Sequence, residues 1–192
     1  LTGWEEPVVL RLAKFQLVGS QWRKYEESIS QSGLNEVSEN DDSDIEISVV
    51  SIEENSIGSE NKSPYVVPPG IPRDIDNTTI VQRRTNEQSL QICVDDLSDG
   101  DGRAIFKESN FDLINYGRIK MFIHAEPNNG DILSDNEINA FLRFGSDYEN
   151  NYYEIELPLR VTQPSLINQN SSNLARIIWP EENEINLSIE EL

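Results

Sequence analysis

The sequence predicts an all-β protein: an antiparallel β-sandwich, jelly-roll-like, that carries an acidic flexible insertion. Three observations support this prediction. From residue 90 onward, short segments with strand-like alternation recur at close intervals. Turn-forming stretches of Gly, Asn and Asp lie between several of these segments. No regular alternation of strands with helices is visible, which argues against a doubly wound fold.

The first 25 residues are predicted to form a β-hairpin that joins the sandwich. The mostly apolar run 8–18 begins and ends with valine, which favours a strand because its side chain is β-branched. Gly19 and Ser20 then provide a turn before Trp22. A helix over the same apolar run is the alternative.

Residues 26–63 are predicted to form an acidic loop with one strand near 45–52. Between residues 26 and 61 there are eleven acidic residues and no Lys or Arg. Alternation of Ile45, Ile47 and Val49 with polar residues indicates the strand. Val50 breaks this alternation, so the alternatives are a bulge in the strand or a short run that is buried on both faces. Like charges and few apolar residues predict mobile flanks at 26–44 and 53–63.

Residues 64–165 are predicted to supply the sandwich core. Four prolines within residues 64–76 predict an extended crossing without a helix. Strands are expected at 90–94, 103–106, 118–125, 139–144 and 152–157. Alternation in two of them predicts one core face and one face toward solvent or a partner, the core residues being Ile119, Met121, Ile123, Ala125, Tyr153, Ile155 and Leu157. Residues 166–192 are predicted to form a C-terminal strand at 185–189 and an acidic tail.

The charge and the rare residue types exclude several functions. Acidic residues outnumber basic ones by 35 to 15, a formal net charge of -20 that repels phosphate backbones and argues against nucleic-acid binding. Cys93 is the single cysteine and His124 the single histidine, so disulfides within the chain, Cys-based zinc sites and two-His metal motifs are excluded. Cys93 is expected to be a small buried or edge side chain without a redox role.

No catalytic residue is predicted, and the chain is not expected to be an enzyme. His124 is the one candidate general base near neutral pH, but no nucleophile elbow accompanies it, and it is interpreted as a surface or edge residue. Glu154 and Glu156 share a strand face about 7 Å apart, the separation of two residues on a strand. Alternating Glu on a strand is also the ordinary solvent face, so this pair is weak support for glycoside hydrolysis.

Asp95, Asp99 and Asp101 are weak candidate ligands for calcium. Asp96 and two glycines accompany them, and hard cations bind several carboxylate oxygens on a bent backbone. The twelve-residue calcium-loop pattern is incomplete, because its terminal Glu is absent. A polar β-turn is the favoured interpretation, so no cofactor is expected, with calcium as the alternative.

Aromatic residues at predicted loops and strand ends suggest an interaction surface. Its candidate members are Trp22, Tyr148 and Tyr152. Aromatic side chains on a β-sandwich bind sugars in many modules and anchor protein interfaces. The alternative is that they cap the open ends of the sandwich.

Five strings, in order along the chain, resemble a segment of the SprA/Sov family. They are FQLVGSQWR at 15–23, VPPGIPR at 67–73, LSDGDGRA at 97–104, MFIHAE at 121–126 and GSDYENNYYE at 145–154. Members of that family are giant outer-membrane translocons of the type IX secretion system in Bacteroidetes, linked in some cases to gliding motility. The acidic stretch 26–61 and the tail after 170 have no counterpart in the resemblance.

The resemblance implies a structural and interaction role in a protein-translocation channel. The expected partners are the translocon barrel, a PorV-type shuttle protein, a plug protein and cargo proteins with C-terminal signal domains. The expected location is the outer membrane or cell surface, on the extracellular or periplasmic face of the translocon. A carbohydrate-binding β-sandwich of a cell-surface protein is the alternative function.

Overall fold

The computed structural model describes residues 22–26, 28–30, 33–35, 43–76, 83–109, 115–128, 131–147 and 150–191. Within these ranges the chain consists mainly of antiparallel strands with a few short helices. The predicted all-β, antiparallel class is therefore confirmed. No helix in the described ranges has both the length and the apolar character needed to cross a bilayer.

The strands are short, and few exceed five residues. They are β1 Arg23–Lys24, β2 Ser28–Ser30, β3 Gly33–Asn35, β4 Asp44–Ser51, β5 Ile75–Asp76, β6 Arg83–Arg84, β7 Gln88–Asp95, β8 Ile105–Phe106, β9 Arg118–Phe122, β10 Asn139–Gly145, β11 Tyr152–Pro158 and β12 Glu184–Ser188. The helices are α1 Ile52–Asn55, α2 Leu174–Ile178, and 3-10 turns at Pro164–Leu166, Glu181–Asn183 and Ile189–Glu191.

The described strands pair two by two, always antiparallel. The pairs are β1 with β8, β2 with β3, β4 with β7, β5 with β6, β9 with β12, and β10 with β11. Several of these pairs join strands far apart in the sequence, so the local turns alone do not determine the topology. The pairings do not establish a jelly-roll order, which stays a prediction.

The strand predicted near 45–52 is found as β4, paired with β7. Its register runs without interruption from Asp44 opposite Asp95 to Ser51 opposite Gln88, so the pair contains no bulge. One face of the ribbon carries the apolar pairs Ile45 with Val94, Ile47 with Ile92, and Val49 with Leu90. Val49 is half-exposed, so the doubly buried alternative is wrong as well.

Residues 53–63, predicted to be a mobile acidic segment, have local structure instead. The Ser51 hydroxyl accepts a hydrogen bond from the backbone of Glu54, and the Asn55 side chain accepts one from the backbone of Ser51, which caps α1. The amide of Tyr65 then donates to the carbonyl of Asn55 at 2.7 Å. The composition did not reveal these side chain–backbone hydrogen bonds, and they correct the prediction.

The other N-terminal predictions are only partly tested. Residues 1–21 and 36–42 lie outside the described residues, and with them most of the proposed hairpin. The described end of that hairpin, β1, pairs with β8. Within the predicted acidic loop, β2 and β3 form a short antiparallel pair.

The proline-rich segment crosses the molecule without a helix, as predicted. Pro64 and Pro68 are buried, and the amide of Ile71 donates to the carbonyl of Pro68 to close a turn. Gly70 occupies that turn with φ of 78°, a conformation that glycine adopts without steric cost. The segment therefore brings its apolar residues against the core in an extended form.

The core lies around a helix that the sequence did not indicate. Ile178, only 2% exposed, is the last residue of α2, and Trp179 follows it. Both pack with Tyr65. Partly buried neighbours complete this cluster: Val50, Ile52, Val66, Phe122, Ile167 and Leu174. The prediction that residues 64–165 supply the core is corrected here, because the C-terminal part contributes Ile178, Trp179 and the buried Ile185 of β12.

Candidate interaction surface

The β10–β11 hairpin presents two chemically different faces. Its register sets Leu142 opposite Ile155 and Phe144 opposite Tyr153 on one face, and Arg143 opposite Glu154 on the other. Alternation along an antiparallel pair separates the two sets of side chains in this way. The first face is therefore apolar, and the second is charged and aromatic.

Arg143 organises the charged face. Its guanidinium lies 4.0 Å from the centre of the Tyr152 ring and forms an ion pair of 2.7 Å with Glu154. The Phe141 ring lies 6.0 Å away, at the limit of a cation–π contact. The structure therefore places the predicted residue Tyr152 in a stacked, half-buried position, and it adds Arg143, which the sequence analysis had not identified.

The apolar face is only partly covered. Phe144 and Tyr153 stack with ring centres 5.7 Å apart and planes inclined by 26°. Tyr153 is 52% exposed, so its predicted place in the core is wrong. The alternation that predicted burial is correct for Ile155 and Leu157, which are half-buried, but it fails near the turn, where the described residues leave the ring open to solvent.

An aspartate closes the turn between the two strands. The carboxylate of Asp147 accepts hydrogen bonds from the backbone of Asn150 at 2.6 Å and of Asn151 at 3.1 Å. The amide of Ser146 donates to the carbonyl of Asn151 at 3.0 Å. Tyr148, the third predicted surface aromatic, lies outside the described residues.

Trp22 belongs to a different strand pair from Tyr152. It is 38% exposed and immediately precedes β1, where Arg23 lies 4.8 Å from the ring centre of Phe106 and pairs with Glu108 at 2.8 Å. Arginine over an aromatic ring thus recurs at β1–β8 and at β10–β11. The structure does not show the predicted aromatic residues as one surface.

The candidate calcium residues form the end of a strand and a turn. Asp95 ends β7 and accepts a hydrogen bond from the side chain of Asn128 at 2.8 Å. The amide of Asp101 donates to the carbonyl of Ser98 at 3.0 Å, which closes the turn that contains Asp99. Among the described residues, no three or more His, Cys, Asp or Glu side chains gather so that they could hold a metal ion. The geometry therefore matches the polar turn.

The two glutamates on β11 have separate cross-strand partners. Glu154 pairs with Arg143, and Glu156 accepts a hydrogen bond of 2.7 Å from the side chain of Asn139. Both partners lie on β10, directly opposite or two residues along. The two carboxylates therefore take part in the hairpin's own contacts.

His124 lies in a partly buried network, which corrects its interpretation as a surface or edge residue. Its Nδ1 is 2.7 Å from the carbonyl oxygen of Ile178, and its Nε2 is 3.3 Å from the carboxylate of Glu126. A carbonyl oxygen can only accept, so Nδ1 carries a hydrogen in this contact. The imidazole thereby joins the end of β9 to the end of α2.

The carboxylate of Glu126 is held in its charged form. Burial alone raises the pKa of Glu126, but the hydrogen bond with His124 and the backbone hydrogen bond from Ser63 outweigh it, so the pKa lies below its ordinary value. The backbone contact from Ser63 measures 2.9 Å. Ser63 and His124 therefore both bind this carboxylate, and His124 connects it to the end of α2.

Trp179 lies beside this network and was missed by the sequence analysis. Its indole N–H donates to the carbonyl of Val66 at 2.8 Å. The rings of Tyr65, Phe122 and His124 surround it with centres 6.0 to 6.4 Å away, all edge to face. The apolar run before Trp179 was the available signal, but five helical residues are too few to show a helical period.

Comparison with known protein families identifies the chain's relationship. Residues 1–192 match a family model, SprA_N, whose description is motility related/secretion protein. The chain belongs to the SprA_N family. The resemblance predicted from the five strings is therefore confirmed, and membership of a secretion and motility family indicates a role in the cell envelope. No protein among the curated sequences matches the chain.

Two of the strings that carry the resemblance meet inside this SprA_N chain. VPPGIPR begins one residue after Val66, whose carbonyl binds Trp179, and MFIHAE contains Phe122, His124 and Glu126 of the same network. A third string, GSDYENNYYE, spans the turn of the β10–β11 hairpin. The family strings thus mark one packing cluster and one exposed hairpin.

Proposed function

We propose that this SprA_N chain is a structural and interaction segment of an outer-membrane protein-translocation channel of the type IX secretion system. It acts through its surface and carries no catalytic or cofactor-binding residue. It covers the pore or contacts cargo and partner proteins, on the extracellular or periplasmic side. Membership of a secretion and motility family supports this proposal.

The observation that carries the proposal is the partly covered β10–β11 hairpin. An isolated two-stranded hairpin is marginally stable in water, and it needs a packed face to be stable. The apolar pairs Leu142 with Ile155 and Phe144 with Tyr153 are half-buried at most, and Tyr153 is more exposed still. The proposal is that the channel or its partners cover this face.

The proposed partners are the translocon barrel, a PorV-type shuttle, a plug protein and cargo with C-terminal signal domains. A cation–π stack such as Arg143 on Tyr152 is a frequent element of protein interfaces, where Arg and Tyr are enriched. The net charge of -20 favours partner surfaces that are basic. Both features suit a surface that binds proteins.

Neither of two open grooves among the described residues favours the carbohydrate-binding alternative. Sugar-binding grooves place Trp or Tyr rings beside polar groups. Two open grooves among the described residues, both lined in part by Val161 and Gln163, have no Trp or Tyr in their walls. The hairpin therefore supports the translocation role better than the sugar-binding role.

Export of a signal-bearing cargo from cells tests the proposal. Tyr152→Glu and Tyr153→Glu alter the two faces of the hairpin, and each is expected to reduce export several-fold, in line with the loss of an interface residue. Tyr116→Glu is the matched control, because Tyr116 is similarly exposed and lies outside the hairpin. Barrel assembly is measured in parallel.

A photo-crosslinking side chain at position 153 identifies the partner. Crosslinks to the barrel, shuttle, plug or cargo support the proposal. Normal export by both hairpin variants, together with no crosslink from position 153 in the assembled complex, would contradict it.

A further inference from the structure

We propose that the apolar run 8–18 packs across the exposed apolar face of the β4–β7 ribbon of the same chain. The run precedes the described residues, which begin at Trp22. This contact goes beyond the proposed function, because it assigns the ribbon face to the chain itself and leaves the β10–β11 hairpin for partners. The orientation of the ribbon, the position of β1 and the composition of the run support it.

The β4–β7 ribbon turns its polar face toward the core. Val50 and Ser89 lie opposite each other on that face. Val50 packs against the cluster around Trp179, and the Ser89 hydroxyl lies 2.8 Å from the hydroxyl of Tyr65. Because side chains alternate along each strand, the face that carries the apolar pairs points away from this cluster.

The outward face of the ribbon is apolar and in large part exposed. Its apolar members are Ile45, Ile47, Val49, Leu90, Ile92 and Val94. Ile45 is buried, but Val49 is 50% exposed and Ile92 is 47% exposed. Isolated exposed apolar residues are ordinary, whereas a contiguous apolar patch marks a contact surface. Antiparallel sheets commonly cover their apolar face and expose the polar one, so a further segment is expected over this face.

β1 holds the run 8–18 within reach of this face. The ammonium of Lys24, at the end of β1, lies 3.4 Å from the carboxylate of Asp44, the first residue of β4. Val18 is six positions before Lys24 in the sequence, a distance of about 20 Å when the chain is extended. The eight-residue strand β4 is itself about 26 Å long. The run can therefore reach the face from its Asp44 end, and the short connection gives it a high effective concentration there.

The composition of the run suits this face. Eight of its eleven residues are apolar, and its charged residues are Arg11 and Lys14. The strands β4 and β7 contain Asp44, Glu46 and Asp95 and no Lys or Arg. A run with two positive charges and no negative one is attracted to an acidic ribbon, whereas a second copy of the ribbon is repelled by the same acids. The charges therefore favour the chain's own run over a second copy.

Photo-crosslinking within the full 192-residue chain tests the contact. A photoreactive phenylalanine derivative replaces Ile92 on the apolar face, and in a matched control it replaces the exposed Glu46 on the polar face. Peptide mapping by mass spectrometry identifies the crosslinked residues. Position 92 is expected to crosslink to residues 8–18 with a yield several-fold above that of position 46.

Substitutions in the run test whether its apolar side chains make the contact. Leu12→Glu together with Phe15→Glu is expected to lower the crosslink yield from position 92 several-fold, because two charged groups would have to enter an apolar contact. Thr2→Glu together with Gly3→Glu adds the same charge outside the run and is expected to leave the yield unchanged. Near-ultraviolet circular dichroism verifies that each protein is folded, and the comparison of positions 92 and 46 needs neither variant.

A mixture of isotope-labelled and unlabelled chains separates contacts within one chain from contacts between copies. Crosslinks from position 92 that join a labelled chain to an unlabelled one would overturn the proposal and assign the face to a second copy. Equal yields from positions 92 and 46, no crosslink to residues 8–18, or a yield that Leu12→Glu with Phe15→Glu leaves unchanged would overturn it as well. Export by the hairpin variants is a separate measurement, so failure here leaves the proposed function standing.

Discussion

The indole N–H of Trp179 donates a hydrogen bond of 2.8 Å to the carbonyl oxygen of Val66. The two residues are 113 positions apart. The bond joins the end of α2 to the start of the proline-rich crossing, and the Trp179 ring packs edge to face on Tyr65, only 6.1 Å away between centres. The C-terminal region is thereby fastened to the middle of the chain.

Trp179→Phe should destabilise the fold by about 1–3 kcal/mol, because it leaves the carbonyl of Val66 without its donor in a partly buried site. Urea unfolding followed by circular dichroism measures the change in the free energy of unfolding. Trp22→Phe is the comparison at a more exposed tryptophan, and it is expected to destabilise the fold less than Trp179→Phe does. Equal effects of the two substitutions would show that the Val66 contact contributes nothing.

Gly145→Ala should destabilise the β10–β11 hairpin by about 1–3 kcal/mol, because an added Cβ would overlap the backbone of Asn151 and Tyr152. Gly117→Ala is the matched control. A Cβ at Gly117 meets nothing within 4 Å, so that change should be neutral or stabilise by about 0.4–1 kcal/mol. Thermal unfolding of both variants tests the pair, and a Gly145→Ala protein as stable as the Gly117→Ala protein contradicts the prediction.

Stability should fall in acid through Glu126. Its pKa is lowered in the folded chain, so below the ordinary value of 4.5 the unfolded state takes up the proton first. The stabilisation is present above that value and is lost as the pH falls through the lowered pKa. Glu126→Gln removes the titrating group, and its urea midpoint should vary less with pH in this range. If the urea midpoints of the native protein and the Glu126→Gln variant change with pH in parallel, Glu126 does not cause the loss of stability in acid.

Cys93 should react slowly with a thiol reagent at neutral pH. Burial raises the pKa of its thiol, and the charges of Asp95 and Glu46 raise it further, so little thiolate is present. Glu46 lies directly opposite Cys93 across the β4–β7 pair, and Glu46→Gln should therefore speed the reaction. The rate of disulfide exchange with a chromogenic reagent measures the reactivity of Cys93 in the native protein and in the Glu46→Gln variant. A native rate equal to that of the unfolded chain would contradict this.

Strand positions were predictable because alternation is a local signal. The segments predicted at 139–144 and 152–157 are β10 and β11, and the strand expected near 45–52 is β4, each within one or two residues at either end. Strand partners were not predictable. β4 pairs with β7 across the proline-rich segment, and β9 pairs with β12 near the C-terminus. The local sequence pattern of a strand does not indicate which distant strand it pairs with.

The candidate surface was predictable only in part, for a related reason. An aromatic residue at a strand end indicated Tyr152, but the partner that stacks on it, Arg143, follows from the register of two strands. The buried role of His124 depends on the carbonyl of Ile178, 54 residues later. Contacts across such separations require the fold, and no motif in the sequence encodes them.

The two-by-two pairing of the strands has a consequence for how the chain behaves in a crowded compartment. Among the described residues each strand pairs with one other strand, so both strands of every pair are edge strands. Open strand edges of this kind template aggregation between copies of a chain. The charge of -20 gives neighbouring copies a mutual repulsion that opposes such contacts. That repulsion extends about 8 Å at physiological ionic strength. The acidity of the chain therefore also protects it against aggregation, and added salt weakens this protection.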